Sequence, residues 1–352
     1  MEIPAESCVR NMAKEWVASV LVKNLFLNVR SSTTAPPDLV FNEFKIWGVP
    51  PGDGQRLDDA RVLFPEVYVN DCVYERHYAS IPPARGVAPS GFGGIPDDVE
   101  DALLLLRLFK TGDLAFAQFK IEEPNGKFVS QFPYRLINNA TPAGRHYQMG
   151  PEECAKWDTF ASDLVRQPAW DSTWFGVARR FFLYGGAKEF NCHKEPGTEI
   201  NEVDRIVDYM IAIEATLAPD EDHLSIGKRV RERAVKLLGE EGEQADRTRK
   251  LLKDFYGLRS TIAHGSPLSE KDRKVITNYR EEFEHTVREL LINGLRELPP
   301  ADKDRRQTLA DWWAPSDDDR AGKLLEDFGG IKNREEKEGL IKRLQVNVAG
   351  KG

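Results

Sequence analysis

The stretch FYGLRSTIAHGSP, residues 255 to 267, places Arg259 five positions before His264. Small and apolar residues fill the interval, and Gly265 and Pro267 close it. A guanidinium keeps its charge at any ordinary pH and grips a phosphate through a planar fork of donors. An imidazole gains or loses a proton near neutrality. The two together suit a phosphodiester, with Arg259 on the phosphate and His264 moving a proton to or from a sugar oxygen. On a helix they stand about 140° apart, with Ser260 between them in angle. In a last helical turn the dipole favours a protonated His264, while the nearby arginine opposes it. Spacing alone leaves the net effect open.

Such an arginine has to be held. Residues 199–218, EINEVDRIVDYMIAIEATLA, read as a helix whose apolar stripe runs Val203, Val207, Met210, Glu214, Leu217. Glu214 is therefore expected on the core-facing side. An ionised carboxylate is costly there unless a cation and hydrogen bonds meet it. Residues 245–264 form a second helix with a stripe of Leu251, Phe255, Leu258 and Ile262. Arg259 borders that stripe, so the spacing predicts a Glu214–Arg259 pair across a helix contact. A helix-end salt bridge with a capping histidine fits the same residues, and both readings stand at this point. A second match, Arg280 and His285 in YREEFEHTV, encloses three glutamates and reads as a solvated face.

The elements that must position these groups follow from texture. From about residue 150 the chain is helical: PEECAKWDTFASDLVRQP, WFGVARRFFLYGGA, then 199–218, 224–238, 245–264 and 270–298. Ser269 with Asp272 three residues on predicts a capped start to the last of these. Its inner face is expected at Ile276, Tyr279, Phe283, Val287, Leu290 and Leu291.

The first 150 residues differ. Val9, Met12, Trp16, Val20 and Leu21 suggest an amphipathic helix over 8–30, ended by SSTTAPPD. LVFNEFKIWGV, RVLFPEVYV, CVYERHYA, LAFAQFKI and KFVSQF then read as strands between turns. DALLLLRLF, 101–109, suits a buried strand or a short helix. ARGVAPSGFGGIP, 84–96, reads as a surface loop, because no GK[ST] follows to make a phosphate cradle. The expected class is α+β: a β-rich α+β domain over 1–150, an all-α bundle over 151–300, and a charged tail over 301–352 carrying Trp312 and Trp313.

Composition narrows the function. With 41% hydrophobic residues the 352-residue chain can fill real cores. No run of about 18 apolar residues predicts a membrane span, and the first residues do not read as a signal peptide. Cys8, Cys72, Cys154 and Cys192 are scattered, which suggests free thiols in a reducing cytoplasm. The six histidines are dispersed, and Cys192–His193 alone builds no metal site; no metal and no cofactor are expected. A net charge of −8 excludes bulk attraction to nucleic acid. Residues 225–259, however, hold ten basic and six acidic side chains. That local excess makes Arg229, Arg233, Arg249, Lys250 and Lys253 candidates for an RNA-binding face.

The pairing of VDRIVDYMIAIEATL with LLKDFYGLRSTIAHG resembles the Apea-like branch of the HEPN superfamily. In that branch a helix with an IALEALL-like centre precedes an LRSKIVHG-like helix end. Here Ile211 to Leu217 and Leu258 to Gly265 match them. The resemblance covers about residues 150 to 298, with weaker matches in LLRLFKTGD (105–113) and ARRFFLYGG (178–186). It implies a dimerising helical bundle in which two such motifs face one another. Many members are metal-independent ribonucleases that leave a 2′,3′-cyclic phosphate and a 5′-hydroxyl. It also implies Arg259 and His264 as the catalytic pair, Glu214 as the acid that steadies the arginine, and Ser260 where many relatives carry Asn, Asp or His. The implied partners are transfer or messenger RNA and a second copy of the chain, in phage defence or a toxin-like role. Other members have lost activity and serve in dimerisation, RNA binding or sensing, which is the alternative expectation. Residues 1–150 would then sense or regulate.

Overall fold

The computed structural model describes residues 15–23, 25–27, 39–41, 44–48, 54–63, 72–83, 94–112, 114–124, 127–131, 147–187, 199–219 and 226–313. The chain divides into two compact units, residues 1–167 with 179–208, and residues 168–178 with 209–352. It passes between them three times, where the change of texture near residue 150 suggests a single boundary. The fold is α+β.

The first unit is built on a six-stranded sheet. Its strands are β1 (Trp16–Lys23), β3 (Leu39–Phe41), β4 (Phe44–Gly48), β5 (Cys72–Tyr78), β6 (Ala115–Glu122) and β7 (Phe128–Gln131), in the order β3-β4-β5-β1-β6-β7. Every neighbouring pair is antiparallel. A separate parallel pair joins β2 (Leu25–Leu27) to β8 (Tyr147–Met149). Three helices accompany them: α1 (Gly54–Leu63), α2 (Ile95–Phe109) and α3 (Pro151–Val165).

The helix expected over 8–30 is corrected by β1. Ala18, Ser19, Val20, Leu21 and Val22 are all buried, because β1 is a central strand paired on both edges. A strand covered on both faces loses the two-residue alternation and reads as a continuous apolar run. Its valines favour the pleated conformation. Residues 8–14, 24 and 28–30 of that expectation lie outside the described residues. The strand expected in RVLFPEVYV is also corrected at its start, since Arg61–Leu63 end α1; the rest lies outside the described residues. Leu57, Ala60 and Leu63 of α1 pack with Leu21, Trp47 and Val73 of the sheet. The ambiguous 101–109 is helical, within α2. Pro96, Asp97 and Asp98 open that helix, where a missing N–H costs nothing and negative charge meets the positive dipole end. Of the loop expected over 84–96, residues 84–93 lie outside the described residues.

The second unit is helical. The division falls within α4 (Thr173–Ala187) and α5 (Glu199–Leu217), and α6 (Ile226–Leu238), α7 (Gly242–Ala263), α8 (Glu270–Glu297) and α9 (Asp302–Trp312) follow. Phe255 of α7 stacks on Phe283 of α8, ring centroids 3.9 Å apart and 9° from parallel. Gly294 lets α8 approach α5 closely, since a Cβ there would come within 2.9 Å of Thr216 Cγ2. Ser269 caps α8 as its sequence predicts, exchanging hydrogen bonds with Asp272. Tyr279 departs from the expected inner face of α8 and is 39% exposed.

The first part of the expected tail is the helix α9, and it closes one end of α5. The last carbonyls of a helix have no partner within it. Arg305 of α9 donates to the carbonyls of Ala215 and Thr216. Arg233 of α6 donates to Leu217 O at 2.8 Å and to Leu309 O at 2.8 Å. Both arginines are buried, and positive charge at a helix C-terminus opposes the dipole favourably. Replacing Arg233 by Met strands two buried carbonyls. We expect Arg233→Met to lower unfolding free energy by about 3 kcal/mol or more, measured by urea denaturation. The exposed Arg306→Met on α9 is the control, expected within about 0.5 kcal/mol of the parent.

Candidate functional site

Glu214 lies in the last turn of α5, immediately before the carbonyls that Arg305 holds. Ile206, Met210, Ile213 and Leu217 form the buried stripe of this helix, while Val203 and Val207 are only half-buried. The stripe is rotated from its expected line, and Glu214 sits at its margin with 18% of its side chain exposed. There Glu214 Oε2 accepts a hydrogen bond from Arg259 Nη2 at 3.1 Å.

Arg259 belongs to the last two turns of α7. Its side chain is 30% exposed, and only one of its terminal nitrogens is engaged by the carboxylate. Its Nε and the second oxygen of Glu214 are both buried with no hydrogen-bond partner among the described residues. The guanidinium carbon lies 5.8 Å from the centre of the Tyr256 ring, one helical turn back. The pair is thus a single contact with spare donors. Burial pushes the Glu214 carboxyl above the ordinary carboxylate range, and the charge of Arg259 offsets part of that.

Tyr256 is a further site residue that lies off the apolar stripe of α7, and its place three residues before Arg259 puts it on the same face as that arginine. Burial raises its phenol, and the Glu214 charge raises it further. Three guanidiniums act in the opposite sense, those of Arg259, Arg229 and Arg231.

His264 caps the C-terminus of α7. Gly265, with φ of 66°, takes the left-handed conformation that glycine adopts freely. Ser266 N donates to Thr261 O at 3.1 Å and Gly265 N to Ile262 O at 2.9 Å. This pair of bonds is the glycine-terminated helix end that the sequence HGSP predicts. It fixes the backbone of His264, whose N–H donates to Ser260 O. The imidazole is exposed and bonds to no described residue. Ser260 is half-buried beside it.

The expected RNA-binding set is largely corrected. Arg229 and Arg233 are 2% and 1% exposed, so neither belongs to an outer face. Arg233 is spent on carbonyls, and Arg229 lies close enough to Tyr256 to act on its phenol. Arg249 is half-exposed but held by Glu232 at 3.0 Å and Asp246 at 3.0 Å. Only Lys250 and Lys253 are exposed and in no ion pair with a described residue. The local charge excess was real in number, and packing consumed most of it. The second arginine–histidine match lies along α8, where His285 is exposed and hydrogen-bonds Arg288 at 2.9 Å.

Among the described residues, no group of three or more His, Cys, Asp or Glu side chains is placed to hold a metal ion. Neither Cys72 nor Cys154 is in a disulfide with a described residue, and burial pushes the Cys154 thiol up to about 11; Cys8 and Cys192 lie outside the described residues. No described helix is long and apolar enough to cross a membrane. Comparison of the chain with protein-family models, with curated proteins and with solved structures finds no match.

The raised Glu214 carboxyl has a thermodynamic signature. Above the ordinary glutamate value, the unfolded chain has lost this proton while the folded chain still holds it. Folding stability from this group then falls as pH rises through the raised folded value. Glu214→Gln removes that slope. We expect Glu214→Gln to gain on the parent in urea denaturation as pH rises from 4 to 7. A gap moving the other way would mean that the carboxylate is stabilised by ionising.

Proposed function

We propose that this chain is a metal-independent RNA endonuclease of the HEPN type, close to the Apea-like branch, that acts as a homodimer in the cytoplasm in phage defence or as a toxin. The observation that carries this reading is the disposition of the motif. Arg259 is held by Glu214 through one nitrogen, and an exposed His264 with no described partner sits at the rigid end of the same helix. Arg259 neutralises the phosphate as negative charge builds on its oxygens. His264 takes the proton from the 2′-hydroxyl as that oxygen attacks the adjacent phosphorus. The P–O5′ bond breaks, and a protonated imidazole returns a proton to the leaving oxygen. The products are a 2′,3′-cyclic phosphate and a 5′-hydroxyl. Arg259 and His264 stand about 140° apart around α7, so a second copy supplying its own helix end would complete the grip on one phosphate. Transfer and messenger RNA are the substrate classes of this reading.

A second reading is favoured by the spent cations. With Arg229 and Arg233 buried and Arg249 paired, the module would bind or assemble without cutting. RNA end-mapping separates the two. We expect purified protein to leave cyclic phosphate ends on transfer or messenger RNA. His264→Ala should slow this by about a hundredfold to ten thousandfold, with the circular dichroism spectrum and oligomeric state unchanged. Equal residual cleavage by both proteins would leave only the non-catalytic reading.

A further inference from the structure

Among the described residues, large apolar side chains are nearly all covered. Among the described residues only Val40 and Tyr279 stand out as exposed, and Tyr279 is the one aromatic. Its exposure is unexpected from its place in α8, between the buried Ile276 and Phe283 at helical spacing. It opens on a groove between α7 and α8, within the second unit. Leu251 and Val275 provide apolar lining, with Arg247, Lys250, Asp254 and Glu282 around them. The volume is about 280 Å³, the small end of ligand sites and the scale of one nucleotide.

The charges of this groove are not equivalent. Arg247 and Glu282 are locked to each other by two hydrogen bonds of 2.5 and 2.8 Å, so they cancel. Lys250 and Asp254 make no ion pair with a described residue, although they lie one turn apart on α7. An open ammonium, an open carboxylate and an exposed aromatic face therefore border one small apolar cleft. An aromatic face stacks any base, an ammonium meets a phosphate, and a carboxylate accepts hydrogen bonds and donates none. Bases with an exocyclic amine offer such donors there, as cytosine does through N4.

Position adds to the chemistry. Lys250 and His264 lie about 40° apart around α7 and about 20 Å apart along it. A single strand reaching from one to the other follows one side of one helix for a few nucleotides.

We propose that this groove is a base-recognition subsite for single-stranded RNA, in which Tyr279 stacks a base, Asp254 accepts from its amino group and Lys250 meets a neighbouring phosphate. The subsite rests on the nuclease reading only for its distance from the reacting phosphate, since binding is measured without cleavage. The full chain carrying His264→Ala keeps RNA uncut, and fluorescence anisotropy with labelled ten-nucleotide single strands reads affinity. Oligo-C and oligo-A should bind more tightly than oligo-U. Adding Tyr279→Ala should weaken binding roughly tenfold or more, with Tyr279→Trp restoring it. Asp254→Asn should erase the preference over oligo-U. Tyr279 is exposed, so these variants are expected to melt with the parent. If Tyr279→Ala binds all three strands as its parent does, the subsite is overturned while His264-dependent cleavage stands. If the chain with His264 intact cleaves nothing, yet the His264→Ala chain binds in a Tyr279-dependent way, the subsite stands and the nuclease reading falls. Absence of saturable binding to any of these strands overturns the subsite.

Discussion

The contact between Glu214 and Arg259 is the constraint on which the site depends. A carboxylate with 18% of its side chain exposed has lost most of its water, and one hydrogen bond to one nitrogen does not replace it. Its raised affinity for a proton expresses that deficit, since burial outweighs the arginine's attraction. The pair is therefore a weak source of stability. What it fixes is direction: α5 holds the guanidinium of α7 by one edge and leaves donors for another anion. Tyr256 beneath the guanidinium restricts it further without competing for a donor.

The rest of the second unit holds the two ends of this contact still. Glu214 occupies the last turn of α5, where unpartnered carbonyls would let a helix fray. Two buried arginines from α6 and α9 take those carbonyls instead. At the other end, the Phe255–Phe283 stack fixes α7 against α8. The Gly265 turn then sets the backbone of His264. The basic residues of α6 divide accordingly: Arg233 builds the frame, and Arg229 is buried near enough to Tyr256 for its charge to act on the phenol. Charge counted along a sequence cannot separate frame from surface, because both roles call for arginine.

Much of this was legible before the structure. The pairing of Glu214 with Arg259, the capping by Ser269 and the stop at Gly265 follow from local rules of spacing and backbone freedom, and those rules are met. What sequence missed has a common cause, which is the dependence of exposure on distant partners. The central strand β1 imitates a helix because cover on both faces removes its alternation. Tyr279 occupies an inward position of α8 by spacing and still opens on a groove beside α7. Arg233 looks like a surface cation until α9, which reads as a charged tail, packs over the end of α5, and Arg229 on the same helix is buried as well. Tyr256 was within reach, since an aromatic three residues before the key arginine shares its face.

A double-mutant cycle on RNA cleavage tests the central claim most directly. Rates (kcat/KM) would be compared for the parent, Glu214→Ala, Arg259→Ala and the double variant. If the carboxylate acts only by holding the guanidinium, the double variant loses no more than Arg259→Ala alone. Losses that multiply would contradict it, by showing that Glu214 and Arg259 serve the reaction independently.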